Sequence, residues 1–430
     1  MTLRPRLLLP LLFVALATST PSQAPPPEKT FEERLVEILK ERGIVDEATR
    51  RELLELAARM KAEEAAKREG LDREIRALEA VAGRAVQGET PEVKASYRKG
   101  FILETADGDF SMRIGGKLQI RGSYLDRDDD GTGNNATEFD VHRARAEFEG
   151  NAYGKDLTYK LSVDLRGGSS SLRDGYLNYA FDKAVQIRGG QFKVPFSRQE
   201  LTSAFRQQFV DRSFVTDQFA PGREPGAMLH GSMEAGVFEY AFGAFNGDGQ
   251  NVNTNDDNAV RWAGRAAVNP FGAIPYSEGD LDRSQEVLLG IGVNAMHNPT
   301  RGTPDADVDT VGLDGILLTG GLSVQGELFL QRADVEGGPT AEDEGAYVQA
   351  GYLLAEGWEV AGRIAGASFD NDILVVGDTR QQREYQLAFS RYFRKHDLKV
   401  QADVTHRSID VLGNQDELDR VLRLQAQLVF

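Results

Sequence analysis

The stretch Asp419–Phe430 reads DRVLRLQAQLVF, and its alternation sets the terms for the rest of the chain. In an extended backbone successive side chains point to opposite faces. Leu422, Leu424, Ala426, Leu428 and Phe430 therefore share one side, and Arg423, Gln425 and Gln427 share the other. One face suits hydrocarbon and the other suits water.

The same alternation recurs from Gly100 onward. Met112, Ile114, Leu118, Ile120 and Tyr124 alternate with Arg113, Lys117, Gln119 and Arg121; Leu157, Tyr159, Leu161, Val163 and Leu165 alternate with Thr158, Lys160, Ser162, Asp164 and Arg166. Residues 260–269, 322–330, 358–366, 385–389 and 398–404 repeat it. Each segment is about the nine to eleven residues with which a tilted strand crosses a bilayer. A count of such segments gives about sixteen, within the even-numbered range of bacterial barrels. The polar rows carry Arg113, Lys117, Lys160, Asp164, Arg261, Arg265, Glu327, Arg363 and Asp403. Lipid rejects such residues, and so does a dry sandwich core; a water-filled lumen accepts them. The expectation is an all-β, sixteen-stranded antiparallel transmembrane barrel over residues 100–430. A soluble sandwich with its polar face outward is the alternative.

Composition agrees with a barrel that hides its apolar surface in alternation: 40% hydrophobic residues and a mean hydropathy of −0.40 in 430 residues. There is no cysteine and there are only 5 histidines, which excludes disulfides, thiolate metal sites and a cysteine nucleophile. Arg4 and Arg6 followed by the apolar run Leu7–Ala17 and small residues up to Ala24 read as a secretory signal over residues 1–24, too short an apolar run to span a bilayer. Pro25, Pro26 and Pro27 form a stiff spacer. Between Phe31 and Gly88 the period is helical: Phe31, Leu35, Ile38 and Leu39, a break at Gly43 with a new start at Asp46, then Leu53, Ala57, Met60, Leu71, Ile75 and Leu78. Residues 25–99 are thus expected to be a periplasmic arm. It is either a short coiled coil that trimerises the protein or a solvated hairpin, because Glu64 and Lys67 interrupt the seam.

Short connections such as Gly154-Lys155 and Lys395-His396-Asp397 suit periplasmic turns. The longer polar stretches Asp126–Glu138, Gly247–Asn258, Asn298–Asp309, Asp334–Glu344 and Asp370–Gln381 suit outward loops. The longest interruption, Gly189–Gly226, reads GGQFKVPFSRQELTSAFRQQFVDRSFVTDQFAPGREPG. Its segments GQFKVPFSRQEL, FVDRS and FAPGREPG, together with the preceding LRDGYLNYAF, resemble the phosphate-selective porin O and P family; the turn at Lys395–Leu398 and the final strand ending on Phe430 are similar too. The resemblance covers about Phe101–Phe430. It implies a trimer of sixteen-stranded barrels in the outer membrane, with a third loop folded inward as a constriction. Phe196, Leu201, Phe205, Phe209 and Phe214 would pack that loop on the wall while its arginines face the channel.

An anion that sheds water in a narrow pore is compensated by guanidinium hydrogen bonds, and several weak sites conduct better than one tight site. Lys193, Arg198, Arg206, Arg212 and Arg223 near the loop, with Arg113, Lys117, Arg121, Arg143, Arg145 and Lys160 on early strands, are the candidates for that path. For Arg212 the competing reading is an ion pair with Asp211 or Glu200 that fixes the loop; for the strand residues it is an ordinary solvated wall. The net charge of −17 opposes anion selectivity at the mouths, but the narrowest point sets selectivity. Asp126–Gly131 resembles the start of a calcium loop, yet position twelve is Thr137, so an exposed acidic loop is the better reading and no metal is expected.

The favoured function is passive diffusion of small anions, phosphate or polyphosphate, through the outer membrane of a Gram-negative-type bacterium. A general or cation-preferring porin, or a tether with a plugged barrel, is the alternative. No Ser/His/Asp or paired-carboxylate constellation points to an enzyme. Expected partners are small anions, outer-membrane lipid, lipopolysaccharide and two further copies in a homotrimer, with no cofactor and no nucleic acid.

Overall fold

Alternation becomes an inside-out barrel in the computed structural model, which describes residues 31–87, 92–128, 135–255, 257–301, 304–370, 378–413 and 417–430. On the closing strand Gln425 and Gln427 are 1% and 2% exposed, while Leu422, Leu424 and Leu428 are 50%, 58% and 42% exposed. Polar residues are buried and leucines are bare, which is stable only with hydrocarbon outside. The expected signal segment lies outside the described residues, as do residues 129–134 of the acidic loop.

The chain divides into two units, Met1–Thr90 and Pro91–Phe430. In the first, α1 (Phe31–Glu41) and α2 (Glu47–Gln87) are separated by a turn at Gly43, whose φ of 70° suits glycine. Asp46 caps α2 by accepting the Thr49 N–H at 2.8 Å. Val36 is buried where the helices meet, and Arg50 ties them through Glu37 at 3.5 Å.

The second unit opens with a small hairpin of β1 (Val93–Tyr97) and β2 (Phe101–Thr105), so the last residues assigned to the helical arm are strand. The barrel itself is β3 (Ser111–Asp128), β4 (Ala136–Asn151), β5 (Leu157–Asp164), β6 (Ser171–Ala180), β7 (Gln186–Lys193), β8 (Arg223–Met233), β9 (Phe238–Phe245) and β10 (Arg261–Val268). It continues through β11 (Leu288–Thr300), β12 (Ala306–Thr319), β13 (Leu322–Val335), β14 (Thr340–Leu353), β15 (Trp358–Ser368), β16 (Thr379–Arg394), β17 (Leu398–Val411) and β18 (Glu417–Val429). Every neighbour pairs antiparallel, and β18 pairs back on β3 from Leu418↔Asp128 to Val429↔Lys117, closing sixteen strands. At the seam the Gly116 N–H donates to the Phe430 carbonyl at 2.8 Å and the Phe430 N–H to that of Gly116 at 2.9 Å. The Phe430 ring lies where a Cβ on Gly116 would be, so glycine makes this close approach possible.

The wall is uneven. From β5 to β10 the strands have 8 to 11 residues, whereas β11 to β14 and β16 to β18 have 13 to 16. Two stretches expected to be loops are largely strand: of Asp334–Glu344 only 336–339 connect β13 to β14, and of Asn298–Asp309 only 301–305 connect β11 to β12. Paired backbone continues there because polar side chains are tolerated on strands beyond the hydrocarbon band.

Candidate pore and constriction

Residues 194–222, between β7 and β8, form the third connection on the long-loop rim and turn into the barrel. Ser197 starts the turn with a φ of 62°, unusual for a residue with a Cβ. Its Oγ accepts the Glu200 N–H at 3.0 Å, and its own N–H donates to Asn294 Oδ1 at 3.2 Å. Short helices α3 (Arg198–Leu201) and α4 (Phe214–Phe219) follow.

A loop inside a barrel has neither a strand partner nor bulk water, so the wall's side chains must satisfy its backbone. They do so on β13, β15 and β17. The Gln199 N–H donates to Glu327 Oε1 at 2.6 Å and the Val210 N–H to Asp403 Oδ2 at 3.1 Å. Lys399 Nζ donates to the Gln207 carbonyl at 2.7 Å, Gln401 Nε2 to that of Gln208 at 2.7 Å, and Arg363 Nη2 to those of Asp211 and Arg212 at 3.1 Å. Phe196 and Phe219 stack on Phe329 of β13 with centroids 5.8 and 5.6 Å apart. Gly345 makes room: a Cβ there would fall 2.5 Å from the Phe219 ring. The aromatic half of the loop is therefore packed on the wall, with Phe196, Phe205 and Phe209 at most 2% exposed.

What stays open is a cavity of ≈ 590 Å³ against β3, β4 and the shorter wall, bordered by thirty residues of which eleven are Arg or Lys and four Asp or Glu. Eight predicted residues border it: Lys193, Arg206, Arg212, Arg223, Arg113, Lys117, Arg145 and Lys160. Arg198, Arg121 and Arg143 do not. Arg198 is turned behind the loop, donating to the Pro275 carbonyl at 2.9 Å and lying 5.0 Å from the Tyr276 ring. Arg121 and Arg143 meet the loop's far side at Asp211, Arg121 with both carboxylate oxygens at 2.8 Å and Arg143 at 3.3 Å; Arg423 joins them at 3.1 Å. Three guanidiniums expected near the path thus anchor the loop or sit behind it, because Asp211 and the Pro275 carbonyl offer acceptors there.

Within the lining, charge is sorted. Lys117, Glu147, Lys160, Glu149 and Arg113 form an alternating chain across β3, β4 and β5, with successive separations of 2.8, 3.7, 3.3 and 2.5 Å. Arg145 pairs with Asp164 at 3.2 Å and Arg223 with Asp174 at 2.9 Å. Arg212 pairs with Glu200 at 3.1 Å, and Lys193 donates to the Leu201 and Thr202 carbonyls at 3.1 and 2.9 Å, so both clasp the loop's own turn. Two cations absent from the predicted set have donors to spare. Arg188 makes one 3.2 Å bond to Asn178 Oδ1 while stacking 4.4 Å from the Tyr176 ring, and the buried Nε of Arg173 has no hydrogen-bond partner. Arg188 was readable from the alternation of QIRGGQF. Arg173 was not: the pairing of β5 with β6 jumps from Ser162↔Asp174 to Val163↔Leu172, leaving Arg173 as a bulge residue re-aimed from the lipid side to the lumen.

A closed barrel with an inward loop and a wet, charged interior defines an outer-membrane channel of the porin class. The chain belongs to the family described as phosphate-selective porin O and P, whose model matches residues 112–430. Among curated proteins it is 24% identical over 350 residues to porin O of Pseudomonas aeruginosa, covering 73% of this chain and 78% of that one. It is also 24% identical over 286 residues to an uncharacterized protein of Aquifex aeolicus, covering 59% and 67%. Solved structures of similar fold include the outer-membrane channel DcaP of Acinetobacter baumannii (TM-score 0.56, 13% identity, 76% of this chain and 99% of that one). Others are an anion-selective porin from Comamonas acidovorans (0.54, 14%, 74% and 100%) and OmpT of Vibrio cholerae in its trimer form (0.51, 11%, 74% and 99%).

Proposed function

We propose that the channel passes small anions by diffusion, with phosphate or polyphosphate as cargo, along the shorter wall. The observation that carries this reading is the lining of that cavity, where cations outnumber carboxylates eleven to four despite a chain charge of −17. Arg173, Arg188 and Arg206 supply the working charge, because the other basic residues are largely spent on carboxylates or loop carbonyls. A phosphate oxygen moving inward exchanges water for one guanidinium at a time, and no single site holds it tightly enough to stop it.

The family supports phosphate and the anion-selective neighbour supports anions as cargo, the trimer form of the OmpT neighbour supports a homotrimer, and in this reading the helical arms lie in the periplasm. Lipid and lipopolysaccharide surround the barrel in this reading. The test is single-channel chloride conductance in planar bilayers with phosphate added in steps. Phosphate is expected to reduce the chloride current saturably, and the triple variant Arg173→Gln, Arg188→Gln, Arg206→Gln to lose that block. A chloride current indifferent to phosphate would remove phosphate as cargo.

A further inference from the structure

On the short-turn rim most connections are tight, but 269–287, between β10 and β11, also enters the lumen. Ile274 is buried against Ile316 and Leu318 of β12, and Asp280 accepts the Ser284 N–H at 3.0 Å and the Gly321 N–H at 2.7 Å. Glu278 of this turn is 1% exposed. One carboxylate oxygen accepts Gln199 Nε2 of the constriction loop at 2.8 Å and the other accepts the Gln208 N–H at 2.8 Å. The Glu278 N–H donates to the Arg206 carbonyl at 2.9 Å, and the carbonyl of Glu278 faces His396 Nε2 at 3.0 Å. No cation lies within ion-pair distance of this carboxylate among the described residues.

Lys399 and Arg363 attract this carboxylate from beyond pairing distance, so hydrogen-bond donors must replace most of its water. Here most of the donors come from the constriction loop, at Gln199 and Gln208, which lie on either side of Arg206 and the loop turn. The bonds therefore set how far the loop stands off the short wall. We infer that Glu278 is a positioning residue for the constriction: the inward turn holds the loop tip from the rim opposite the loop's origin, and so sets pore width and the place of Arg206 in the passage. This rests on the channel reading above, but on width rather than on cargo.

The test uses the full chain, refolded and inserted in planar bilayers. Glu278→Gln keeps the shape but, in either orientation of the amide, sets its N–H₂ against one of the two loop donors, the Gln208 N–H or Gln199 Nε2. It is expected to raise single-channel conductance at least twofold, to add open-state noise, and to weaken charge selectivity measured as zero-current potential, while the barrel keeps its heat-modifiable mobility. Asp282→Asn breaks only an exposed pair of the same turn with Lys395 and is expected to leave all three unchanged. If Glu278→Gln does not yield folded barrels, Glu278→Asp keeps the charge but draws the carboxylate back from Gln199 and Gln208, and it carries the same expectations. Wild-type conductance, noise and potential in the folded variant would overturn the inference, and so would an equal change in Asp282→Asn. A wild-type protein that does not conduct would instead remove the channel reading itself.

Discussion

At the scale of single residues, burial decides which charges are free to act. Asp211 gathers Arg121, Arg143 and Arg423 on the hidden side of the constriction loop. Its replacement by alanine removes the acceptor that the three share, while Arg423 keeps Asp403 at 2.7 Å and Arg121 keeps Gln425 at 3.0 Å. A loss of about 1–3 kcal/mol is expected, since the carboxylate is partly exposed and two of its partners keep other acceptors. Guanidinium unfolding of the detergent-solubilised barrel measures it; a loss below about 1 kcal/mol would mean that the arginines find water and that Asp211 is no anchor. Gly345→Leu drives a side chain into the Phe219 ring and is expected to cost about 1–3 kcal/mol through overpacking. That cost is read as a lower temperature for loss of the heat-resistant band.

Among elements, the constriction loop and the wall that receives it were legible to different degrees. The resemblance carried by Gly189–Gly226 implied an inward loop with packed aromatics, and Phe196, Phe205 and Phe209 are buried, whereas Phe214 is only partly buried and Leu201 borders the cavity. Which arginines remain available was not readable. That depends on Asp211, on the Pro275 carbonyl and on Glu200, whose proximity arises from pairings across the lumen that no local spacing encodes. Strand alternation likewise missed Arg173, because one bulge reverses the face of a residue without leaving a mark in composition. The inward turn 269–287 went unassigned, since its Pro, Gly and Ser content suits a surface loop equally well. The loop's hold on the wall is testable at Phe329, where two rings stack. Phe329→Ala is expected to cost about 3–5 kcal/mol and to make the 194–222 segment cleavable by protease in the folded barrel. Unchanged protection would place the loop's anchoring in its hydrogen bonds alone.

For the whole molecule, the barrel was the most legible feature, because sixteen repeats of one alternation reinforce each other and register leaves no freedom once a face must meet lipid. The chain's two units predict independence: removal of residues 31–87 is expected to take away only the helical part of the circular dichroism, leaving the strand signal and the single-channel conductance unchanged, with any other change confined to oligomer mass. The overall charge of −17 and the basic lining make opposite predictions for ion preference, and the narrowest region governs. The zero-current potential of the full-length protein in a planar bilayer under a KCl gradient separates them. A potential on the chloride side is predicted; a potential on the potassium side would contradict the account.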